Sequence, residues 1–193
     1  MSVVSARSKK RIIVDEEIPL EEHKYIMSKT DKRGFITYAN DYFIEISGYS
    51  KEELVGANHN IVRHPDMPKI IFRLLWERIL KGENIYAIVK NLAKDGRYYW
   101  VLTDFEIEKN KLGRITGFYA FRKSPPKKAV EKIIPLYRKL LELEKKGGIE
   151  SSSNYLKEFL KEKNLTYDEY IDYLLGNSSV FKLWFKSMQK FFR

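Results

Sequence analysis

With 193 residues, 44% hydrophobic and 32% charged, the chain can build one domain with an appendage or two small ones, and the composition excludes disordered, fibrous and membrane-embedded classes. Its 36 Lys and Arg against 26 Asp and Glu give +10. Outside the Arg7 to Arg11 cluster, however, the basic residues are interleaved with Glu, and no nucleic-acid-binding motif accompanies them, so nucleic acid is not an expected partner. The absence of cysteine removes disulfides, thiolate metal sites and thiol nucleophiles.

The opening MSVVSARSKKR has no apolar stretch leading to a cleavage site, and nowhere do about eighteen apolar residues run together; a cytoplasmic location is expected. After an N-terminal segment of residues 1–23, Lys24 to Ser28 and Gly34 to Ala39 read as two short strands joined by turn residues Asp31 to Gly34. From Asn40 the period becomes helical: Asn40 or Asp41 caps a turn carrying Phe43, Ile46 and Ser47, and Ser50-Lys-Glu-Glu53 is a capping-box pattern. Beyond His64-Pro65-Asp66-Met67-Pro68, the residues Ile71, Leu74, Leu75, Arg78 and Ile79 mark a longer helix that stops at Lys81-Gly82.

Ile85 to Leu92, Tyr98 to Ile107 and Ile115 to Phe121 then read as three strands, the first two joined across Asp95-Gly96, a tight hairpin signal. Two strands, short helices and three strands predict an α+β domain over residues 24–123, a five-stranded antiparallel sheet with short helices on one face. A composition change at Ser124-Pro125-Pro126 opens an all-α C-terminal extension, residues 124–193. There Pro135 stands at an expected first helical position, Gly147-Gly148 as a stop, Ser151 to Ser153 as a start and Asn164 as another stop. Thr166-Tyr-Asp-Glu169 is a second capping box, ending at Gly176-Asn177. The last segment puts Phe181, Trp184, Phe185, Met188, Phe191 and Phe192 on one helix face and Lys182, Lys186 and Lys190 across from them. Core closure is the first expectation for that face, with docking on a receptor or on an anionic membrane as the others.

The densest polar run, Asn58 to Pro68, places Arg63, His64 and Asp66 in a proline-stiffened loop before a helix. Arg63 is suited to clamp a pyrophosphate or ring carbonyl, and the helix N-terminus beyond Pro68 favours negative charge. The same residues serve equally well locally, with Asp66 capping the helix, His64 bonded to backbone and Arg63 paired with a carboxylate. Phe72 and Trp76, four apart, share a helix face and can present two rings to a planar ligand or pack in a core. Asn91 shares its strand face with Ile85, Ala87 and Val89, so its amide points into an apolar space and needs a partner. Asn40 is a similar polar group at the mouth of the first helix, or simply its cap.

The segments GFITYANDYFIEISGYSKEELVG, NIVRHPDMP and IVKNLAKDGRYYWV closely resemble the PAS domain of bacterial aerotaxis receptors, over about Met27 to Arg122. The resemblance implies a PAS fold that holds flavin adenine dinucleotide (FAD) noncovalently and signals through the flavin's redox state. The flavin-linked positions of that family fall on Asn40, Arg63, His64, Asp66, Phe72, Trp76 and Asn91. Ile85 stands where such domains often carry a tryptophan, which implies a changed flavin affinity or potential. Those receptors continue into membrane-spanning and methyl-accepting segments that this sequence lacks, so the output is expected to pass to a membrane-bound methyl-accepting-type receptor or another signalling protein, with homodimerisation left open. The segment IIPLYRKLLELEKKGGIE resembles soluble relatives that work with a separate receptor. A PAS interaction module without flavin, or with haem on His59 or His64, is the alternative; enzymatic turnover is not expected, since three histidines and no cysteine leave few acid-base or nucleophilic groups.

Overall fold

The structure, a computed structural model, describes residues 12–176 and 178–191. Five strands, β1 (Ile26–Asp31), β2 (Ile36–Ala39), β3 (Ala87–Leu92), β4 (Tyr98–Lys109) and β5 (Ile115–Lys123), form one antiparallel sheet in the order β2-β1-β5-β4-β3. Between β2 and β3 run α1 (Asp41–Ser47), α2 (Lys51–Leu54), a 3-10 turn (His59–Val62) and α3 (Lys69–Leu80). The extension supplies α4 (Lys127–Glu162), α5 (Tyr167–Leu175) and α6 (Ser178–Phe191).

Local chemistry sets most of these boundaries. Asn40 caps α1 by accepting from Phe43 N, and the Ser50–Glu53 and Thr166–Glu169 capping boxes are both reciprocated. At the first hairpin Gly34 N donates to Asp31 O and Asp31 N to Phe35 O, as the turn residues predict. Where strand ends differ from the sequence reading they do so by two or three residues; the register across β5 extends β1 to Asp31 and β4 to Lys109.

The burial of the central strands explains where the extension goes. Tyr99 to Asp104 of β4 are all buried, as are most residues of β3. Such a run requires cover on both faces of the sheet. The helices between β2 and β3 cover one face and α4–α6 the other. Tyr137 of α4 stacks on Trp100 at 6.5 Å and donates its hydroxyl to Ile88 O at 2.7 Å. From α6, Phe185 is fully buried beside Tyr86, and Gln189 Nε2 donates to Asp104 Oδ2 at 2.8 Å. One continuous apolar core therefore joins sheet and extension.

Two expectations about the extension are corrected. α4 begins at Lys127 with Pro126 as its cap, so Pro135 lies inside the helix rather than at its first turn. Burial of Ala129, Ile133, Leu136, Tyr137 and Leu140 on one face carries the helix through a residue that costs about 3 kcal/mol in a helix interior. Gly147-Gly148 does break the helix, with Gly148 at φ 73°, but helical geometry resumes at once rather than at Ser151. On α6, Phe185 is buried and Phe181, Trp184 and Met188 pack against the core, which is the core-closing arrangement. Phe192 and the side chain of Phe191 lie outside the described residues. Residues 12–23 of the N-terminal segment are tied to the domain: Val14 N donates to Gly96 O, Ile18 N to Tyr98 O, and Glu21 N to the Tyr42 hydroxyl.

Candidate functional site

A cavity of about 330 Å³ lies between the sheet and α3, within the size range of small-molecule sites. Its apolar walls are Phe72, Leu75, Trp76 and Ile79 of α3 and Val89, Phe105, Phe118 and Ala120 of the sheet. The helix owes its position partly to Gly34, whose φ is +86° and where a Cβ would meet the Trp76 indole at 2.9 Å. Trp76 in turn meets Phe118 edge-on at 5.8 Å.

The polar side of the cavity is built by strand alternation. Asn91 (5% exposed) and Thr103 (2% exposed) line it. The Thr103 hydroxyl has no hydrogen-bond partner among the described residues, and the buried Asn91 amide lines the same cavity. Buried polar groups are almost always bonded, so one left orphaned against a cavity points to a ligand. Arg122 lies directly across from Thr103 on β5 and is 5% exposed. It donates through Nη1 to Ser28 Oγ at 2.9 Å and through Nη2 to His59 Nε2 at 3.0 Å. Burial, and then the charge of Arg122, push the His59 imidazole down to about 3, so the ring is neutral. Burial also lowers Arg122, to about 10, which leaves it cationic at neutral pH.

Arg63 donates to Met67 O at 3.2 Å and lies 4.5 Å over the Phe72 ring; burial lowers its pKa while Glu144 opposes the shift. The exposed Arg33 and Asn60 stand at the mouth with Asn58. Among the described residues no Asp or Glu lines the cavity. It is an aromatic slot with cationic and amide donors along one side.

Of the sequence-predicted residues, Arg63, Phe72, Trp76 and Asn91 come together here, and Asn40, His64 and Asp66 do not line the cavity. Asn40 accepts from Met27 N and Phe43 N and donates to Tyr25 O, joining β1 to α1. His64 is buried and accepts the backbone N–H of Asp66 at 3.0 Å, and Asp66 is exposed and pairs with Lys90 at 3.3 Å. Ile85 is buried in the core away from the cavity. The N-terminus of α3 is occupied from another element: Lys69 N and Ile70 N each donate to the Glu144 carboxylate of α4 at 2.9 Å. The helix end does attract negative charge, as the sequence reading has it, but the charge is the protein's own carboxylate, so a ligand pyrophosphate has no free helix end there.

Thr103 and Arg122 escaped that reading, although the signal was present. Each is a polar residue sharing an alternating face with apolar ones, Thr103 with Val101 and Phe105, and Arg122 with Phe118 and Ala120. His59 and Arg33 carry no such pattern.

A protein family described as PAS fold matches residues 36–122. The chain is 39% identical over 128 residues to the aerotaxis receptor of Escherichia coli K12, a match covering 66% of this chain and 25% of the receptor. It is 29% identical over 104 residues to the nitrogen fixation regulatory protein of Klebsiella pneumoniae, covering 54% of this chain and 21% of that protein. The chain thus spans a quarter or less of the length of these relatives. Among solved structures, the dark structure of the blue-light photoreceptor Aureochrome1 LOV aligns with a TM-score of 0.51 at 20% identity, covering 57% of this chain and 82% of that one.

Proposed function

We propose, from the premise that this chain carries a PAS domain similar to that of the aerotaxis receptor, that the cavity holds the flavin of FAD noncovalently and that the chain reports the flavin's redox state to a signalling partner. The observation that carries this reading is the buried, unpartnered Thr103 hydroxyl, which faces an aromatic slot together with the buried Asn91 amide. Their environment fits a flavin ring, which is planar, apolar at one end and rich in hydrogen-bonding groups at the other. A bound flavin supplies reversible uptake of electrons and protons.

In this reading Phe72 and Trp76 wall the ring, Asn91, Thr103 and Arg63 meet its polar edge, and Arg33, Asn58 and Asn60 meet the part that leaves the mouth. Asn40 fixes α1 against β1, while His64 and Asp66 shape the loop that aims Arg63. The Asn91 amide carries both a donor and an acceptor. It can therefore exchange one for the other when the groups it faces gain or lose a proton. Asn91 lies on β3 three residues from Ile88, whose carbonyl holds Tyr137 of α4, and α3 is held by Glu144 of the same helix. Both walls of the cavity thus reach the extension, through which the chain acts on a membrane-bound methyl-accepting-type receptor or another signalling protein in the cytoplasm, rather than turning over a substrate. Haem on His59 suits the geometry less well, because its Nε2 already accepts from Arg122.

The test is the visible spectrum of the purified protein during a reductive titration, with identification of the pigment released on denaturation. Two flavin bands that bleach, and intact FAD in the released fraction, are expected. An intense Soret band or a colourless protein overturns the reading.

A further inference from the structure

We propose that Arg122 selects the charge of the cavity's ligand, fixing a negative charge beside it, so that the bound flavin is held as its anion when reduced. The identity of the ligand rests on the preceding reading; the charge rests on Arg122 and its surroundings.

Among the described residues, every group that meets this guanidinium is neutral. β1 offers the Ser28 hydroxyl, β5 the Ala120 carbonyl and the 3-10 turn the His59 imidazole, while the Phe43 ring of α1 lies 5.9 Å away and the Tyr99 phenol of β4 faces it electrostatically. Because Arg can only donate, the His59 nitrogen that it meets must be unprotonated, so His59 is neutral and its other ring nitrogen carries the hydrogen. A buried cation without a counter-ion is costly and is ordinarily paired. Among the described residues no carboxylate lines the cavity to supply that pairing. Of the other cations there, Arg33 pairs with Asp31, and Glu144, beside Arg63, is engaged by the end of α3. Charge balance inside the cavity is left to what binds it.

Reduction then runs with two electrons and one proton. A reductant such as dithionite supplies the electrons, solvent supplies one proton to the ring, and the proton that would neutralise the reduced ring stays in solvent because Arg122 balances the charge. Arg63 adds to the same field.

The experiment is the midpoint potential of the flavin-loaded protein as a function of pH, for wild type, Arg122→Met, Arg122→Lys and Thr103→Val. Wild type and Arg122→Lys are expected to take one proton per two electrons across the acid and neutral range. Arg122→Met is expected to lose at least tenfold of its preference for the reduced state, about 30 mV for a two-electron couple, and to take a second proton in the acid range. Thr103→Val, which removes a neutral partner, is expected to weaken binding of both redox states without changing the proton count. Should Arg122→Met fail to fold, the wild-type and Arg122→Lys curves still decide. Two protons per two electrons in wild type, or an unchanged count in Arg122→Met, overturns the role of Arg122 and leaves flavin binding standing. A protein that takes up no flavin overturns both.

Discussion

Asp104 is fully buried on the sheet face opposite the cavity, accepting from Asn84 Nδ2 at 2.7 Å and Gln189 Nε2 at 2.8 Å. Burial pushes its carboxyl up from 3.8 to about 7, outweighing the hydrogen bonds that favour the ionised form. Between those two values the unfolded chain ionises first while the folded one keeps its proton. The stability this group lends at low pH is therefore lost as pH rises through about 7. Denaturant melts at several pH values should show Asp104→Asn flattening that dependence. At Gly34 the backbone is left-handed and Trp76 closes over it, so Gly34→Ala should cost about 1 kcal/mol or more and weaken flavin binding by moving the indole, measured by melting and by flavin titration.

The helices show what a sequence can and cannot disclose. Capping boxes at Ser50 and Thr166, the Asp95-Gly96 turn and the stop at Asn164 (φ 54°) are local devices, in which the residues that act are neighbours in the chain. Each was legible for that reason. The cap of α3 was not: its partner Glu144 lies 75 residues from Lys69, and no local pattern connects them. Pro135 misled because a local rule for helix starts yields to the burial of five apolar residues along α4. In the cavity, Asn91 and the Phe72–Trp76 pair followed from periodicity within one element, whereas the Arg122–Thr103 pair needs the register between two strands. Because Pro68 offers α3 no side-chain cap, Glu144→Ala leaves two backbone N–H groups at its start without their partner. A loss of about 1–2 kcal/mol is expected in melts, with weaker flavin binding, since α3 carries Phe72 and Trp76.

On the scale of the molecule, the sheet and the extension share one core. Truncation after Gly176 removes Phe185 and Gln189, uncovering Tyr86 and Asp104. The shortened protein should lose several kcal/mol of stability or fall insoluble, as read by soluble yield and melting; a stable, flavin-loaded product would instead make α6 a docking element. Among the described residues no helix is long and apolar enough to cross a membrane. Glu144 gives this architecture a further property, because one carboxylate belongs at once to the cavity's helix and, through Ser152, to the bend of α4 at its two glycines. Thermodynamic linkage is symmetric. If occupancy of the cavity biases that joint, then any protein gripping α4 in one of its settings must change the affinity for the cavity's ligand by the same factor, and the receiver of the signal becomes a regulator of the sensor.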